Sequence, residues 1–451
     1  MLPQLRRLER KWHDEVAVIG VHSPKFISEQ DTESVRQAIL RLNVGHPVVN
    51  DRDFRVWQAY AVRAWPTLLF IDPRGKVIGK HEGEFPFEPF DRLIGEMVAE
   101  FETAGVLDRR SLGLPGQEPA PLTPLLFPGK LLADEAGGRL FVTDTGHHRI
   151  VEAGLDGDVR RIIGCGKPGL GDGAAEEAFF NQPQGLAIAD GTLYVADTEN
   201  HVLRTVDLAT GRVRTIAGTG QQLAGERVGG PARRTALSSP WDLTISGGVL
   251  YVAMAGTHQV WAMPLGGDWI GPHTGTGREA LEDGPRQQAA MNQPSGLTTD
   301  GVRLYVADSE ASAIRMIEPA LEGVIRTIVG EGLFEFGDRD GIGPAEVRLQ
   351  HPLGVAWHAG AVLIADTYNH KIKRLDPGTA ECRTIAGDGK PGQQDGEPLL
   401  ARFSEPSSLT VAGDRVFIAD TNNHAVRVLD LARGHVSTLT LSGLTPPSPS
   451  R

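Results

Sequence analysis

The segment Leu193-Tyr194-Val195-Ala196-Asp197-Thr198-Glu199-Asn200-His201 decides the fold, because variants of it occur six times along the chain. The position of Asp197 is held in turn by Asp144, Asp197, Met254, Asp308, Asp366 and Asp420, at steps of 53, 57, 54, 58 and 54 residues. Each copy follows a proline, at Pro128, Pro183, Pro240, Pro294, Pro352 and Pro406. A period of this size is typical of repeat architectures, in which each unit packs against the next.

Each unit has the pattern of a small β-sheet. Between Gly185 and Gly218, the short apolar runs GLAI, TLYVAD, HVLRTVDL and VRTIAG predict four strands, and Asp190-Gly191 and Thr210-Gly211 supply tight turns between them. One such sheet cannot bury both of its faces, so successive sheets must stack around an axis. The sequence therefore predicts a six-bladed β-propeller over residues 125–441, with a flexible tail at 442–451.

Residues 1–102 have a different pattern, which predicts an α/β domain. Apolar residues at helical spacing alternate with strand-like runs, at 16–21 and around Val48, and a hairpin is predicted from 67–71 and 76–80. The stripe from Phe90 to Phe101 predicts a closing helix. The proline-rich stretch 103–124 is predicted to be a linker.

Two resemblances follow from these motifs. The unit from Asn181 to Gly218 resembles the NHL repeat almost throughout, whereas Met254 and Ser312 depart from the pattern in units three and four. The element order around Trp65-Pro66-Thr67 resembles a thioredoxin fold, in which the proline before the hairpin is usually cis and faces the redox cysteines. The stretches IGVHSPKF, WPTLLF, LLFPGK and SSPWDL extend the resemblance to a family that joins a thioredoxin-like domain to an NHL propeller.

The resemblance also implies a cysteine-bearing segment and a central strand before Leu2. The chain begins inside the first helix of such a domain, so the strands at 16–21 and 67–71 are expected to lack their common neighbour. One hypothesis is that Met1 is an internal start and that the natural protein continues upstream. The alternative is a degenerate domain that repacks or borrows a strand from a partner.

Composition restricts the class of protein. The formal charge of −12 opposes a general attraction to nucleic acid. No membrane span is predicted, since no run of 18 apolar residues occurs, and the start lacks the apolar core of a signal peptide, so a cytoplasmic location is expected. Cys165 and Cys382 fall in units one and five, which are not neighbours in a six-blade ring, and two free thiols are predicted.

An Asp and a His four residues apart recur in four units. The pairs are Asp144 and His148, Asp197 and His201, Asp366 and His370, and Asp420 and His424, and Asp308 lacks a His partner. Such residues can bind metal, but each pair belongs to its own unit. A hydrogen bond within the blade that fixes the turn is the preferred interpretation, and no metal site is predicted.

Two further columns are predicted on strand three and in the loops between units. A mostly basic column at Arg204, Trp261, Arg315, Lys373 and Arg427 is interpreted as a solvated strand face or as a patch for an anionic partner. Asp-Gly loops begin at Asp172, Asp283, Asp340 and Asp395. They are interpreted as Asx-type turns, with an acidic, calcium-binding funnel as the alternative.

Two functions remain open from the sequence. The first is a cytosolic protein-interaction scaffold, whose propeller loop face binds a protein or peptide and whose Trp65, Pro66 and Thr67 form the remnant of a peptide-binding groove. A rigid turn with a packed aromatic is the structural alternative for those three residues. The second function is a thiol-disulfide oxidoreductase or redox sensor whose cysteines lie upstream. No catalytic residue or cofactor is predicted for this chain, and its oligomeric state stays open.

Overall fold

The computed structural model describes residues 2–83, 85–110 and 118–447. The chain forms two compact units, residues 1–121 and residues 122–451. Among the described residues, no helix combines the length and the apolar character needed to cross a membrane.

The described residues of the first unit form four α-helices and four short strands in the predicted order. The helices are α1 (Leu2–Lys11), α2 (Thr32–Arg41), α3 (Arg55–Ala59) and α4 (Phe87–Thr103), and the strands are β1 (Gly20–His22), β2 (Val48–Asn50), β3 (Thr67–Ile71) and β4 (Val77–Glu82). The strand predicted at 16–21 is wrong for most of its length, because only Gly20 and Val21 belong to β1. Val16 and Val18 instead pack against the core that α1 and α4 enclose.

The strands of the first unit form two separate sheets. β1 pairs with β2 in parallel, and β3 pairs with β4 in an antiparallel hairpin. Within the described residues no strand joins the two sheets, as expected for β1 and β3 without a common neighbour. The core of the unit includes Leu5 and Leu8 of α1 and Phe90 and Ile94 of α4.

The second unit is a six-bladed β-propeller, as predicted. Each blade is an antiparallel sheet whose four main strands follow one another in the chain, from an inner to an outer strand. The strands of blades 1 to 3 are Pro128–Asp134, Arg139–Asp144, Arg149–Gly154 and Val159–Ile163; Pro183–Ala189, Thr192–Asp197, Val202–Asp207 and Val213–Ala217; and Pro240–Ser246, Val249–Met254, Gln259–Pro264 and Trp269–Thr274. Those of blades 4 to 6 are Pro294–Thr299, Leu304–Asp308, Ala313–Ile317 and Val324–Val329; Gly354–His358, Ala361–Asp366, Lys371–Leu375 and Glu381–Ala386; and Pro406–Ala412, Arg415–Asp420, Ala425–Asp430 and His435–Leu439.

The hydrophobic core of the propeller lies between blades. Phe141 and Ile150 of blade 1, for example, share one apolar cluster with Leu193 and Val206 of blade 2. The alternating side chains of each strand therefore face two neighbouring blades, which buries both faces of every sheet.

Short segments of the connecting loops pair with the outer strands. Gly230–Pro231, Gly284–Pro285 and Gly341–Ile342 add a fifth strand to blades 3, 4 and 5, and Gly173 and Gly396 form single bridges to blades 2 and 6. These segments satisfy backbone groups that an exposed sheet edge would leave unpaired.

On blade 1 the C-terminal segment, rather than a loop between two blades, pairs with the start of the outer strand. The amide of Val159 donates to the carbonyl of Ser442 over 3.2 Å, the amide of Ser442 donates to the carbonyl of Gly157 over 3.0 Å, and Leu444 is buried. The prediction of a flexible tail from 442 is therefore wrong for residues 442–447, because these backbone bonds and the burial of Leu444 fix them on blade 1. Residues 448–451 lie outside the described residues.

Candidate functional site

The His column joins each blade to the next one around the ring. In five units the Nδ1 atom of the His accepts a hydrogen bond from the backbone amide before the next proline, and in unit four the hydroxyl of Ser312 takes this part. The acceptor and donor pairs are His148 and Gln182, His201 and Ser239, His258 and Gln293, Ser312 and His351, His370 and Glu405, and His424 and Phe127, all between 3.1 and 3.2 Å. The prediction of a bond within the blade is wrong for His148 and His424, whose hydrogen bonds run to the next blade.

Backbone geometry and burial both suit this role. His148 and His424 each have a φ of 53°, in the left-handed region where His and Asn are enriched among residues other than glycine. Burial lowers the pKa of both His148 and His424 to about 4. Both rings are therefore neutral near pH 7 and carry one ring proton. Because a backbone amide donates to Nδ1, that proton belongs on Nε2.

A hydroxyl column forms a second set of contacts between blades. Thr198 Oγ1 of blade 2 donates to the carbonyl of Pro240 in blade 3 over 2.7 Å. Thr145, Ser309, Thr367 and Thr421 make the same bond to the next proline carbonyl, and Thr421 closes the ring to Pro128. The backbone groups on both sides of the proline turn are thus satisfied by the preceding blade.

The basic column is buried inside the blades. Arg204 Nη1 donates to Asp197 Oδ2 over 2.9 Å, and Arg204 Nη2 donates to Asp172 Oδ1 over 3.0 Å. Its guanidinium also lies 5.1 Å from the centre of the Phe180 ring. Arg315 and Arg427 repeat this arrangement with Asp308 and Asp283 and with Asp420 and Asp395, while Lys373 contacts Asp366, Asp340 and Asp338. Both earlier interpretations of the column, as a solvated face and as a surface patch, are wrong, because these side chains have no exposed area.

The carboxylates of the Asp column accept several hydrogen bonds each. Asp197 accepts from the amide of Asn181 and from the side chain of Asn200, in addition to Arg204. Burial raises the pKa of Asp197 to about 6, although these donors oppose the rise. Burial raises the pKa of Asp366 and Asp420 to about 6 in the same way.

The Asp-Gly loops belong to the same networks. Asp172 Oδ1 accepts from Thr215 Oγ1 over 2.8 Å as well as from Arg204, and Asp283, Asp340 and Asp395 each accept from a matching Thr. Neither the acidic calcium-binding funnel nor an Asx turn closed on its own loop describes these residues adequately. Each carboxylate instead accepts hydrogen bonds from side chains of the next blade. Among the described residues, no group of three or more His, Cys, Asp or Glu side chains could hold a metal ion.

A Lys and Asp pair lies where the inner strands meet. Lys130 Nζ of blade 1 donates to the carbonyls of Ser295 and Leu353, over 2.7 and 2.5 Å, and lies 3.2 Å from Asp242 Oδ2. Burial lowers the pKa of Lys130 and raises that of Asp242, and the attraction between the two opposes both shifts. The ammonium joins blades 1, 3, 4 and 5, so the centre of the ring holds a fixed, neutralised charge pair.

This axial pair was not predicted, although the sequence contains a signal for it. Lys130 and Asp242 each stand two residues after the repeat proline, where the other four units have Gly185, Gly296, Gly354 and Ser408. A charged residue in place of a glycine or serine, with opposite signs in two units, indicates a buried pair between innermost strands.

In the first unit, Trp65 lies on the surface beside the start of β3. Its side chain is 46% exposed, its ring centre lies 4.4 Å from that of Trp57, and its Nε1 donates to the carbonyl of Ser23 over 2.8 Å. The Trp65-Pro66 bond is cis, as the resemblance implies, and Thr67 Oγ1 donates to the carbonyl of Ala64. The structure thus places the three predicted residues together and holds the half-exposed indole in one orientation.

The carboxylate of Asp51 holds the segments that carry Trp57 and contact Trp65. It accepts from the amides of Val56 and Trp57 at the start of α3 and from the hydroxyl of Ser23, each over 2.9 Å. Burial alone would raise the pKa of Asp51, but these donors outweigh it and the pKa lies below its ordinary value. Sequence reasoning missed Asp51, whose position before a short helix is a common signal for an N-terminal cap.

The two cysteines are separate and lie in the propeller. Cys382 is buried in blade 5, where burial raises the pKa of its thiol to about 12, and Cys165 is partly buried after the outer strand of blade 1. Both are free, as predicted.

The six blades and the repeated contacts between them define a propeller built from NHL repeats. The model of the NHL repeat matches residues 180–204 and 403–429. The chain belongs to the NHL-repeat-containing proteins, which confirms the resemblance of its repeat unit to the NHL repeat.

Curated relatives match almost the whole chain. NHL repeat-containing protein 2 of Gallus gallus is 39% identical over 97% of this chain and 65% of its own length. The Arabidopsis thaliana protein SUPPRESSOR OF QUENCHING 1, chloroplastic, is 41% identical over 100% of this chain and 45% of its own length. The chain thus spans about half to two thirds of these relatives.

One solved structure supports the fold alone. A structural genomics protein of unknown function from Bacteroides thetaiotaomicron matches with a TM-score of 0.51 and 15% identity, over 67% of this chain and 69% of that chain.

Proposed function

We propose that the chain is a protein-interaction scaffold and that its first unit, a thioredoxin-like domain, binds an extended peptide beside Trp65, Pro66 and Thr67. The observation that carries this proposal is the half-exposed Trp65, whose ring packs against Trp57 at an interplanar angle of 38° and whose indole is anchored to Ser23. An aromatic side chain held in one rotamer loses little conformational entropy when it binds a partner.

The neighbouring strand offers backbone groups to such a peptide. Within the described residues β3 pairs only with β4, so its second edge has no strand partner. Ile71 at the end of β3 is half-exposed, as are Ile19 and Val21 at β1. An extended segment with alternating apolar side chains can pair with such an edge and cover these residues.

The Asp51 contacts keep the aromatic platform in place before binding. Asp51 accepts hydrogen bonds from both the Trp57 amide and the Ser23 hydroxyl. The Ser23 carbonyl in turn accepts from the Trp65 indole, so Asp51 links the positions of the two tryptophans. A site that is ordered in advance avoids part of the entropy cost of association.

In this proposal the propeller is a rigid support and a second binding surface. Its His, Asp, Arg and Thr columns are engaged in holding blades together, so they serve the scaffold through stability. Partner binding falls to the exposed rims and loops. A cytoplasmic location remains a prediction.

Binding of an unfolded chain tests the peptide site. The probe is fluorescein-labelled, reduced and carboxymethylated α-lactalbumin, titrated into the full chain and followed by fluorescence polarisation. We expect saturable binding that Trp65→Ala weakens by about tenfold, as for an aromatic anchor. Hydrogen exchange should slow in residues 67–71 when the probe is bound.

Phe334→Ala is the matched control, because Phe334 is a strongly exposed aromatic of the propeller. Its affinity for the probe should equal that of the wild type. Equal affinity of the Trp65→Ala variant, or unchanged exchange in 67–71, would refute the site.

The alternative of a thiol-disulfide oxidoreductase depends on cysteines outside the printed sequence. Both cysteines of this chain belong to the propeller, and a thiol with a pKa of about 12 is not a nucleophile near pH 7. We expect this chain to show no turnover in an insulin reduction assay. Measurable turnover would contradict that expectation, because it would have to come from Cys165 or Cys382 of the propeller.

A further inference from the structure

The outer parts of blades 2 and 3 enclose a groove of about 500 Å³. Its floor is formed by Tyr194 and Ile216 of blade 2 and by Leu250 and Met263 of blade 3. These four residues belong to the apolar cluster between the two blades, so the groove opens directly onto the core. The turn from Pro264 to Asp268 forms one wall.

The rim of the groove carries unpaired positive charge. Arg233 and Arg234 are exposed, and within the described part of the chain neither forms an ion pair or a side-chain hydrogen bond. Asp268 is the acidic residue of the lining, which leaves a net charge of +1.

The surrounding sequence strengthens this contrast. Residues 208–241 contain five arginines and one glutamate, so their net charge is +4, whereas the whole chain carries −12. The remainder of the chain therefore carries −16. Arg233 and Arg234 on the rim thus lie in a basic segment of an acidic protein, and electrostatic attraction would direct an acidic ligand toward them.

An exposed tryptophan stands beside the groove. Trp269 is 57% exposed and pairs with Pro231, a lining residue, at the edge of blade 3. Trp, Tyr and Arg are the residues most enriched among the side chains that carry binding energy at protein interfaces, and all three occur here.

We propose that this groove binds a peptide segment of a partner protein in which acidic residues flank one large apolar side chain. The apolar side chain enters the space above Ile216 and Met263, and the acidic residues pair with Arg233 and Arg234. The proposal rests on the proposed scaffold role and assigns it a site in the propeller, separate from Trp65.

Selection from a random peptide library tests the inference. The displayed peptides are first depleted on the Arg233→Glu/Arg234→Glu variant and then selected on the full wild-type chain. We expect enriched sequences that combine several Asp or Glu residues with one Leu, Phe or Trp. The most enriched peptide is then synthesised with fluorescein, and its affinity is measured by polarisation.

Three variants locate the binding of that peptide. Arg233→Glu/Arg234→Glu should weaken it by at least about tenfold, and so should Thr205→Trp, which fills the groove from a lining position. Arg212→Glu/Arg214→Glu makes the same charge change at two exposed residues outside the lining, where it reduces only the general attraction of the segment, and should weaken the affinity much less, by no more than about threefold. Melting temperatures show that each variant is folded.

The outcomes separate this proposal from the peptide site of the first unit. Trp65→Ala should not change binding of the selected peptide, and loss of binding would assign that peptide to the first unit and overturn the groove. The groove is also overturned if no acidic sequence is enriched, if both groove variants bind normally, or if both arginine pairs matter equally. The titration with the unfolded probe stands independently of these results.

Discussion

Blades 2 and 3 have the same strand arrangement, but one set of interior positions is charged in blade 2 and uncharged in blade 3. In blade 2 a buried network links Arg204 to Asp197 and Asp172, with Asn200 and Thr215 as further partners. Blade 3 has Trp261, Met254, Gly229, Thr257 and Pro272 at the corresponding positions, and Trp261 Nε1 donates to Gln259. The whole network has been replaced together.

The contact to the next blade survives this replacement. His258 of blade 3 accepts the amide of Gln293, just as His201 of blade 2 accepts that of Ser239. The comparison indicates that an apolar interior can replace the charged network of a blade. Removing one member leaves its partner buried and unpaired, which destabilises the fold, whereas replacing all members together leaves no charge unpaired. The His contact, in contrast, depends on the shared backbone geometry and is kept by blades of either type.

Removing one member of the network in blade 2 should have the largest effect. Arg204→Met leaves the carboxylate of Asp197 buried without its cation, and we expect a loss of about 3 to 5 kcal/mol in unfolding free energy. Arg214→Met, at an exposed arginine of the adjacent strand, is the control and should stay within about 0.5 kcal/mol. Urea unfolding followed by circular dichroism measures both, and equal losses would break the comparison.

A truncation tests how much the pairing of the C-terminal segment with the outer strand of blade 1 stabilises the propeller. Ending the chain at Leu441 removes the pairing of Ser442 with the outer strand and the burial of Leu444, and we expect a loss of about 2 to 4 kcal/mol. Ending it at Pro447 removes only residues outside the described range and is the control. Thermal unfolding of the two chains should differ by several degrees, and identical curves would show that Ser442 and Leu444 contribute nothing.

Giving blade 2 the interior of blade 3 should cost less than breaking its network. The combined change Asp172→Gly, Asp197→Met, Arg204→Trp and Thr215→Pro removes every charge at once, and we expect a loss below about 2 kcal/mol. The measurement is again the unfolding free energy, compared with that of Arg204→Met. If the fourfold variant were the less stable of the two, the blades would not be exchangeable and the interpretation of blade 3 would be wrong.

The sequence predicted what depends on local pattern and missed what depends on distant pairs. Proline spacing and the alternation of apolar residues located the six blades, because those signals lie within one unit. The partner of His148 lies 34 residues away in the next unit, and that of His424 lies 297 residues away across the ring closure. A repeated His therefore indicated a repeated contact without indicating its partner.

The exposure of the basic column was predicted wrongly for a different reason. Arginine is usually exposed, so a repeated basic position was assigned to a strand face. The loss of Asp and Arg together in unit three, as Met254 and Trp261, was visible in the sequence and was the signal of a buried pair. In the first unit, the sequence led us to expect that β1 and β3 would not share a neighbouring strand, and they lie in separate sheets. The role of Asp51, in contrast, consists of side-chain contacts that the apolar pattern does not encode.

Breaking a single contact between blades should have a smaller effect than any break within a blade. His424→Ala removes the acceptor of the Phe127 amide and places alanine at a φ of 53°, and we expect a loss of about 1 to 2 kcal/mol. His424→Asn keeps an acceptor oxygen at a similar distance along the side chain and tolerates the left-handed backbone. It should therefore retain most of the stability in urea unfolding, and equal losses in the two variants would contradict the proposed role of Nδ1.

The smallest expected effect is the pH dependence of the same contact. The pKa of His424 is about 4 in the folded chain, below the ordinary value of 6.5, so the unfolded chain takes up the proton first as the pH falls. The contribution of His424 is complete above pH 6.5 and is lost between pH 6.5 and 4. Asp197, Asp366 and Asp420 act in the opposite sense over part of this range, because their pKa values are raised to about 6 and the folded chain is protonated first.

The His424→Asn variant isolates the histidine from these carboxylates, since it lacks only the titrating ring. Between pH 7 and pH 5 we expect the wild type to lose about 1 kcal/mol relative to the variant, after allowance for the part of the ring that water reaches. Melting temperatures of the two proteins, measured across this range, should converge as the pH falls. Parallel curves would show that His424 is not held neutral, and the contact between blades 6 and 1 would then need another acceptor.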